Sequence, residues 1–473
     1  MDQDDAEFSD DCADKEFGSS ALGDARLNAR IKHLARELAQ HPEGSLPQAL
    51  KDPSALKAAY RFFDHDDVTS ESILSSHVAH TYARMSQHER VLIVQDTTYF
   101  DYAHHPHTSG MGLLQAQGGH GMLMHGVLAI TPQHVPLGVL SARMWARPPD
   151  VAPQTGNNAD RPIEDKESLK WLDGIAVAQT ALQLCPDTEM VVVADREADI
   201  HEVYARCIDA GISFVIRAFR QRRVSGEPPN ELAAVLQQTS VLALQNIVVP
   251  KRGTQAARSA QIQIKAKEVE LKPPTPRKKM TKLPVLAPIW AIEVSEINPP
   301  ADVKPLYWLL LTNIEAGDEA GAKEIIELYR ARWGIEIWHR TLKSGCRVEE
   351  RQLQSRERIE RMIALYAIIA WRIMYATLLA RTMPDVACTV LLDQAEWQAL
   401  YCRIHQTPVP CDHPPTLQQA IRWIAKLGGF IGRNSDGNPG SMTMWRGFQV
   451  LYAVTDMYKI FHPAGPPKSI RDG

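Results

Sequence analysis

Apolar residues recur along this chain with more than one period, and the changes of period divide it. From Ala25 onward Leu27, Ile31, Leu34 and Leu38 return at three and four residues, while Arg26, Arg30 and Arg36 lie off that stripe. The spacing predicts a helix capped by Asp24. A second helix is expected from about Ser54 through Phe63. At Val91 the helical period vanishes. Val91-Leu92-Ile93-Val94 is continuously apolar and ends in Gln95-Asp96, the form of a buried strand. Two further strand-like runs, Gly121 to Ile130 and Val135 to Met144, are joined by Thr131-Pro132-Gln133-His134, a hairpin signal. A helix from about Glu164 to Leu184 precedes Met190-Val191-Val192-Val193-Ala194, again closed by an acid, Asp195. Helix Ala198 to Ala210 and strand Ile212 to Arg217 continue the alternation.

Three strands, then helix, strand, helix, strand is the order of a ribonuclease-H-like sheet, so the fold class expected is α/β with a mixed sheet. Residues 218–300 break the pattern with β-branched runs, prolines and basic clusters, which predicts an inserted β-rich subdomain. Leu306 to Thr312 reads as another strand, and one long helix is expected from Asp318 to about Ser344. From about Arg356 the pattern is helical almost to the end. The expected layout is an acidic disordered tail over 1–16, a helical domain over 17–70, the α/β domain over 71–370 with its insertion at 218–300, and a helical domain over 371–473.

Charge changes this picture only where it is uneven. The net charge of −4 conceals eight acids and one base in residues 1–16, which leaves the remainder at +3. Between Arg217 and Lys282 stand fourteen Lys or Arg and four Glu, a local +10. Such a patch suits a polyanion, because each neutralised phosphate releases counterions. Charge alone fits a solvated basic loop equally well. The Met-Asp-Gln-Asp-Asp start has neither basic nor apolar signal regions, and the apolar run Met362 to Trp371 is far short of the roughly 20 residues that span a bilayer. A soluble, cytoplasmic protein without membrane partners is expected. Seven scattered cysteines argue against a disulfide scaffold. Cys402, His405, Cys411 and His413 could hold zinc in principle, but their spacing matches no standard finger, and Pro408 and Pro410 suit a plain loop.

Asp96 and Asp195 each close a very apolar strand, where binding groups of α/β sheets collect. If the strands are neighbours, the two carboxylates share one crevice and need a divalent cation to relieve their repulsion. Either aspartate alone reads as an ordinary polar strand end. The helix after Asp318 adds a third element. At about 100° per residue, Tyr329, Arg332, Glu336, His339, Arg340 and Lys343 fall within roughly a 100° arc, with Ile325, Ile335 and Leu342 to one side as core contacts.

Asp195-Arg196-Glu197-Ala198-Asp199, together with Tyr329-x2-Arg332-x3-Glu336-x6-Lys343, resembles the bacterial cut-and-paste DDE transposases of the insertion-sequence-four group, on the branch of the transposon Tn-five enzyme. Ala21-Leu22-Gly23-Asp24, Tyr60-Arg61-Phe62, Gln95-Asp96-Thr97-Thr98, Lys166-Glu167-Ser168, Trp308-Leu309-Leu310-Leu311-Thr312 and Leu427-Gly428-Gly429-Phe430 resemble the same group in the same order. The resemblance implies a metal-binding triad of Asp96, Asp195 and Glu336 holding two Mg2+ ions, with Mn2+ able to substitute. It implies phosphate contacts from Tyr329, Arg332 and Lys343, a flipped-base site at Arg217 and Trp308, and further DNA contacts from Trp333, His339 and Arg340. It also implies double-stranded DNA as partner, nucleoid association when DNA is bound, and a homodimer joined through the C-terminal helices. Asp64, Asp66 and Asp67 directly after Tyr60-Arg61-Phe62 depart from an end-contacting loop, and the acidic tail is a second departure. Two other readings remain at this point: a silent DNA-binding copy, and a structure-specific nuclease on the same fold. A zinc-dependent structural protein using Cys402 and His405 is a third.

Overall fold

The computed structural model describes residues 12–41, 43–115, 118–148, 161–249, 257–274, 283–433 and 437–462. The chain opens with helices α1 (Cys12–Phe17), α2 (Ala25–Gln40), α3 (Leu46–Ala49), α4 (Pro53–Phe63) and α5 (Ser70–Met85). Asp24 caps α2 by accepting the Arg26 amide at 2.7 Å, and Asp52 caps α4 by accepting the Ser54 and Ala55 amides. Such caps satisfy amides that a helix start leaves orphaned. The expected disordered tail is corrected in part, and residues 1–11 lie outside the described residues. Residues 12–16 belong to α1, where Glu16 is buried against His77 and Arg84 of α5 and Asp14 pairs with Lys32 and Arg36 of α2. These acids have partners waiting on neighbouring helices, which composition cannot reveal.

The central elements follow as β1 (Arg90–Asp101), β2 (Gly112–Gln115), β3 (Gly118–Ile130), β4 (Pro136–Trp145), α6 (Leu169–Leu184), β5 (Glu189–Ala194), α7 (His201–Asp209) and β6 (Ser213–Arg217). The insertion contributes α8 (Leu232–Gln238), β7 (Ala243–Val249), β8 (Arg258–Leu271) and β9 (Leu286–Ile297), and β10 (Tyr307–Thr312) returns to the centre. The strands lie in the order β2-β3-β1-β5-β6-β10-β9-β8-β7, with β4 also on β3. β1 pairs parallel with β5, and β5 with β6; the remaining pairings are antiparallel. The core order β4-β3-β1-β5-β6 is that of a ribonuclease-H-like sheet.

The insertion is β-rich, as expected. Its strands extend the same sheet through β10, and its apolar residues divide between the two central cores: Ile264, Ile292 and Val294 to one, Val269, Leu271 and Ile289 to the other. Its basic residues Lys251, Arg252, Arg277, Lys278, Lys279 and Lys282 lie outside the described residues.

Strand parity decides what each face carries, because successive side chains of a strand point to opposite faces. On β1, Val91 and Ile93 pack with α6 and α7, while Leu92 and Val94 pack with the later helices. On β5, Met190, Val192 and Ala194 face the first side and Val191 and Val193 the second. Those later helices are α9 (Glu319–Arg330), α10 (Trp333–Arg340), α11 (Arg356–Thr382), α12 (Gln394–His405), α13 (Leu417–Leu427) and α14 (Ser441–Phe461).

Three expectations about helices need revision. The helix before β5 starts at Leu169, after a single turn at Ile163–Asp165. The helix after Asp195 starts at His201, because Asp195 caps a separate turn, Arg196–Ala198. The long helix from Asp318 is broken at Ala331–Arg332 and ends in a wide turn over Thr341–Gly345, so the equal-angle arc does not hold along its length. Helix α11 is long and apolar enough to cross a membrane, which the run Met362 to Trp371 did not suggest. It is instead a central core helix, with 89% of its apolar window buried.

Candidate active site

The parallel register places the first two carboxylates. Val94 pairs with Val193 and Gln95 with Ala194, where the β1–β5 ladder stops. Asp96 and Asp195 are the next residues on each side. Asp96 shares parity with Leu92 and Val94, and Asp195 with Val191 and Val193, so both belong to the face covered by α9–α11. Asp96 does not end its strand: β1 continues antiparallel to β3 as far as Asp101, with Asp96 opposite Gly126. Asp195 accepts the Glu197 amide at 2.8 Å, and Asp96 accepts the Thr97 amide at 2.8 Å, which fixes each carboxylate.

From the opposite side, Ile335 and Trp338 bury α10 in the core, and the Trp338 indole donates to the Ala367 carbonyl of α11 at 3.0 Å. This anchoring presents Arg332 and Glu336 to the aspartates. Arg332 Nη2 lies 2.5 Å from Glu336 Oε1, and its Nη1 lies 3.7 Å from Asp96 Oδ2. Burial pushes the Asp96 carboxyl up to about 7; Arg332 opposes the rise, while Asp195 and Glu336 add to it. A partly buried carboxyl raised by two neighbouring carboxylates is part of a hard-oxygen donor set of the kind Mg2+ prefers. In this geometry Arg332 supplies the compensating charge. Among the described residues no three His, Cys, Asp or Glu side chains converge on a common point, and Glu336 is engaged by Arg332.

The Cys and His residues of the C-terminal loop form no such group either. Cys402, His405, Cys411 and His413 do not converge; His405 instead packs at 4.3 Å from the Tyr401 ring and 5.0 Å from Trp423, and Cys411 donates to the His413 carbonyl.

The other predicted residues separate into those that meet the triad and those that do not. Tyr329 is 5% exposed, with the Arg332 guanidinium 5.7 Å from its ring centre. Trp308 packs edge-on against Tyr329, centroids 5.4 Å apart and planes at 68°. Arg217 closes β6 and donates to the Tyr307 carbonyl at 2.9 Å, beside Trp308. These residues form one continuous wall. His339 is buried, its Nδ1 4.0 Å from Asp96 Oδ2, and desolvation lowers its pKa to about 3, with Lys343 and Arg332 adding to the effect. The ring is thus held neutral behind Asp96. Trp333 is 55% exposed and Arg340 is exposed.

Lys343, past the wide turn, stands with its ammonium 4.2 Å from the Tyr99 ring centre on β1, and burial lowers its pKa. Tyr99 was not singled out from the sequence, nor were Gln95 and His125. The last two form a buried pair on the opposite sheet face, where Thr97 Oγ1 lies 3.0 Å from His125 Nδ1. Gly126 also escaped notice: a Cβ there would meet the Trp338 ring at 2.6 Å, so only glycine lets α10 approach β3 this closely.

The chain matches the models for a transposase DNA-binding domain over residues 9–68, a transposase DDE domain over 150–372, and a transposase Tn5 dimerisation domain over 368–459. The DDE match contains Asp195 and Glu336 but begins after Asp96, which the β1–β5 register brings to them. With three models matched in the same order, and a ribonuclease-H-like sheet beneath them, the chain is a DNA transposase of the Tn5-like DDE family.

Proposed function

We propose that Asp96, Asp195 and Glu336 are the carboxylates of a Mg2+-dependent centre that carries out cut-and-paste transposition. The observation carrying this reading is the end of the β1–β5 ladder at Gln95 and Ala194, opposite the α10 residue Glu336, whose charge together with that of Asp195 raises Asp96. When bound, two Mg2+ ions would supply Lewis acidity at the attacking and leaving oxygens of an in-line displacement, with Mn2+ as substitute. Asp96 and Asp195 hold their positions through strand pairing and backbone amides, and Glu336 through the anchored α10. Arg332, Lys343 and Tyr329 bind phosphates near the scissile bond, so positioning and charge carry the catalysis.

The reading extends to four steps at one centre. Water frees a 3′-hydroxyl at the element's end, that hydroxyl attacks the opposite strand to form a hairpin, water opens the hairpin, and the 3′-hydroxyl attacks target DNA. Trp308 and Arg217 receive a base flipped out at the hairpin bend, and Trp308 stacks on it. Two subunits act on two paired ends, each cutting the end held mainly by the other. A structure-specific nuclease would have no use for the Trp308–Arg217 wall, and a silent binding protein would have none for the triad.

The test incubates the purified chain and Mg2+ with a plasmid carrying the element's terminal inverted repeats. Hairpin-ended fragments are expected with the native chain and should vanish in Asp96→Ala, Asp195→Ala and Glu336→Ala. Nicking that persists in all three variants refutes the triad assignment.

A further inference from the structure

We infer that Arg332 is a placeholder cation: in the DNA-free protein its guanidinium occupies the place of a divalent ion between Asp96 and Glu336, and it yields that place when a DNA phosphate draws it away. The inference rests on the proposed reading of Asp96, Asp195 and Glu336 as metal carboxylates. Its basis is geometric. Nη2 lies 2.5 Å from Glu336 Oε1 and Nη1 3.7 Å from Asp96 Oδ2, so one side chain spans carboxylates from two elements. That side chain is only 13% exposed. Glu336 therefore accepts from the guanidinium, whose fixed charge also sits within ion-pair distance of Asp96.

The arrangement is also incomplete. Arg332 Nε is buried and has no hydrogen-bond partner among the described residues. A buried unsatisfied donor carries a free-energy cost that a better acceptor removes. Phosphate is such an acceptor, since its oxygens match the guanidinium fork in bidentate geometry. Arg332 stands at the break between α9 and α10, next to a fixed aromatic pair, Tyr329 and Trp308. Its guanidinium can leave Glu336 without moving the helix that carries it. Metal binding and DNA binding thereby become linked through one residue, and linkage is reciprocal: what DNA does for metal affinity, metal does for DNA affinity. A free chain that holds metal weakly is kept from cutting DNA until an end is seated.

The experiment titrates the full-length chain with Mn2+, reading free Mn2+ by electron paramagnetic resonance. Arg332→Gln should bind Mn2+ about tenfold more tightly than the native chain, within the usual range of a coupling between sites. Arg332→Lys keeps the charge but reaches one carboxylate at a time, and should fall between them. Arg330→Gln removes an exposed charge two residues away and should leave affinity within about twofold, as expected for a screened surface group. Equal tightening in Arg330→Gln and Arg332→Gln would reduce the effect to net charge and overturn the inference. So would equal affinity in the native chain and Arg332→Gln, provided Asp96→Asn weakens binding in both, an outcome that leaves the triad reading intact. If Arg332→Gln gains affinity but Asp96→Asn combined with Glu336→Gln does not remove it, the metal lies elsewhere and the triad reading fails. Adding a terminal-repeat duplex should raise Mn2+ affinity more in the native chain than in Arg332→Gln; equal gains would remove DNA from the linkage. Thermal unfolding of each variant separates a lost fold from a changed affinity.

Discussion

Trp308 illustrates how much a single side chain depends on its neighbours. On sequence alone it is an aromatic residue opening an apolar strand, and a core indole is the simplest account. In the fold its ring meets Tyr329 edge-on, next to Arg217 and Arg332, at the border of the carboxylate crevice. A base stacked on such a ring gains about 1–3 kcal/mol. Trp308→Ala is therefore expected to lose hairpin formation while first-strand nicking is largely kept, measured by separating nicked and hairpin products on denaturing gels. Loss of nicking as well would count against a base-holding role. Parity explains why the two aspartates were legible: each follows an apolar run whose alternate residues serve two cores, so the next residue had to face one of them. His339 was legible only as a helical position, and its burial behind Asp96 came from α10 packing against Gly126.

At the scale of elements, the approach of α10 to β3 sets the distance between Glu336 and the aspartates. Gly126 lies opposite Asp96 on β3, and a methyl group there would overlap the Trp338 ring at 2.6 Å. Overpacking of this kind costs about 1–3 kcal/mol. Gly126→Ala should lower stability by that amount in urea unfolding, and should reduce end cleavage as α10 is displaced; unchanged stability would show that the helix yields without cost. The break at Ala331–Arg332 and the wide turn after Arg340 give Tyr329, Arg332, Glu336 and Lys343 separate placements. A uniform helical projection placed Arg340 in the same arc, and in the fold it is exposed.

Across the whole molecule, the N-terminal helix is tied to the α/β domain by a buried polar cluster. Val139 of β4 donates its amide to His77 Nε2 at 2.9 Å, so the imidazole is neutral with its proton on Nδ1, 2.5 Å from Glu16. Arg84 donates to Glu16 at 2.8 Å and lies over the Trp371 ring of α11 at 4.6 Å. Burial lowers the His77 pKa from its ordinary 6.5. The unfolded chain therefore takes up a proton that the folded chain refuses, and stability falls as pH drops through 6.5. Burial alone would push the Glu16 carboxyl up, but the His77 hydrogen bond and Arg84 hold it down at about 2, below its ordinary 4.5. Its contribution is present above pH 4.5 and is lost as pH falls toward 2. Both groups act in one direction. Urea unfolding from about pH 8 to about pH 5 should show falling stability, and His77→Gln should flatten that dependence, since histidine is the group that titrates there. An unaltered slope would place the pH sensitivity elsewhere.

The periods of apolar residues were enough to place the core strands and the ribonuclease-H-like order, because each element must bury its own face whatever it packs against, but they missed α5 and the break in the helix from Asp318. The tyrosine–arginine–glutamate–lysine spacing was likewise local, confined to a stretch of adjacent helical turns, and so could be read directly. Tertiary structure alone decided that the 218–300 insertion widens the central sheet, that Glu16 belongs to the core, and that Arg332 bridges Asp96 and Glu336. Those outcomes depend on groups far apart in the chain. β10 accepts β9 as a partner, His77 and Arg84 await a carboxylate some sixty residues earlier, and a guanidinium links a strand to a helix more than two hundred residues on. Hydrogen-bond and charge satisfaction at such separations is settled by the fold, and no local pattern records it.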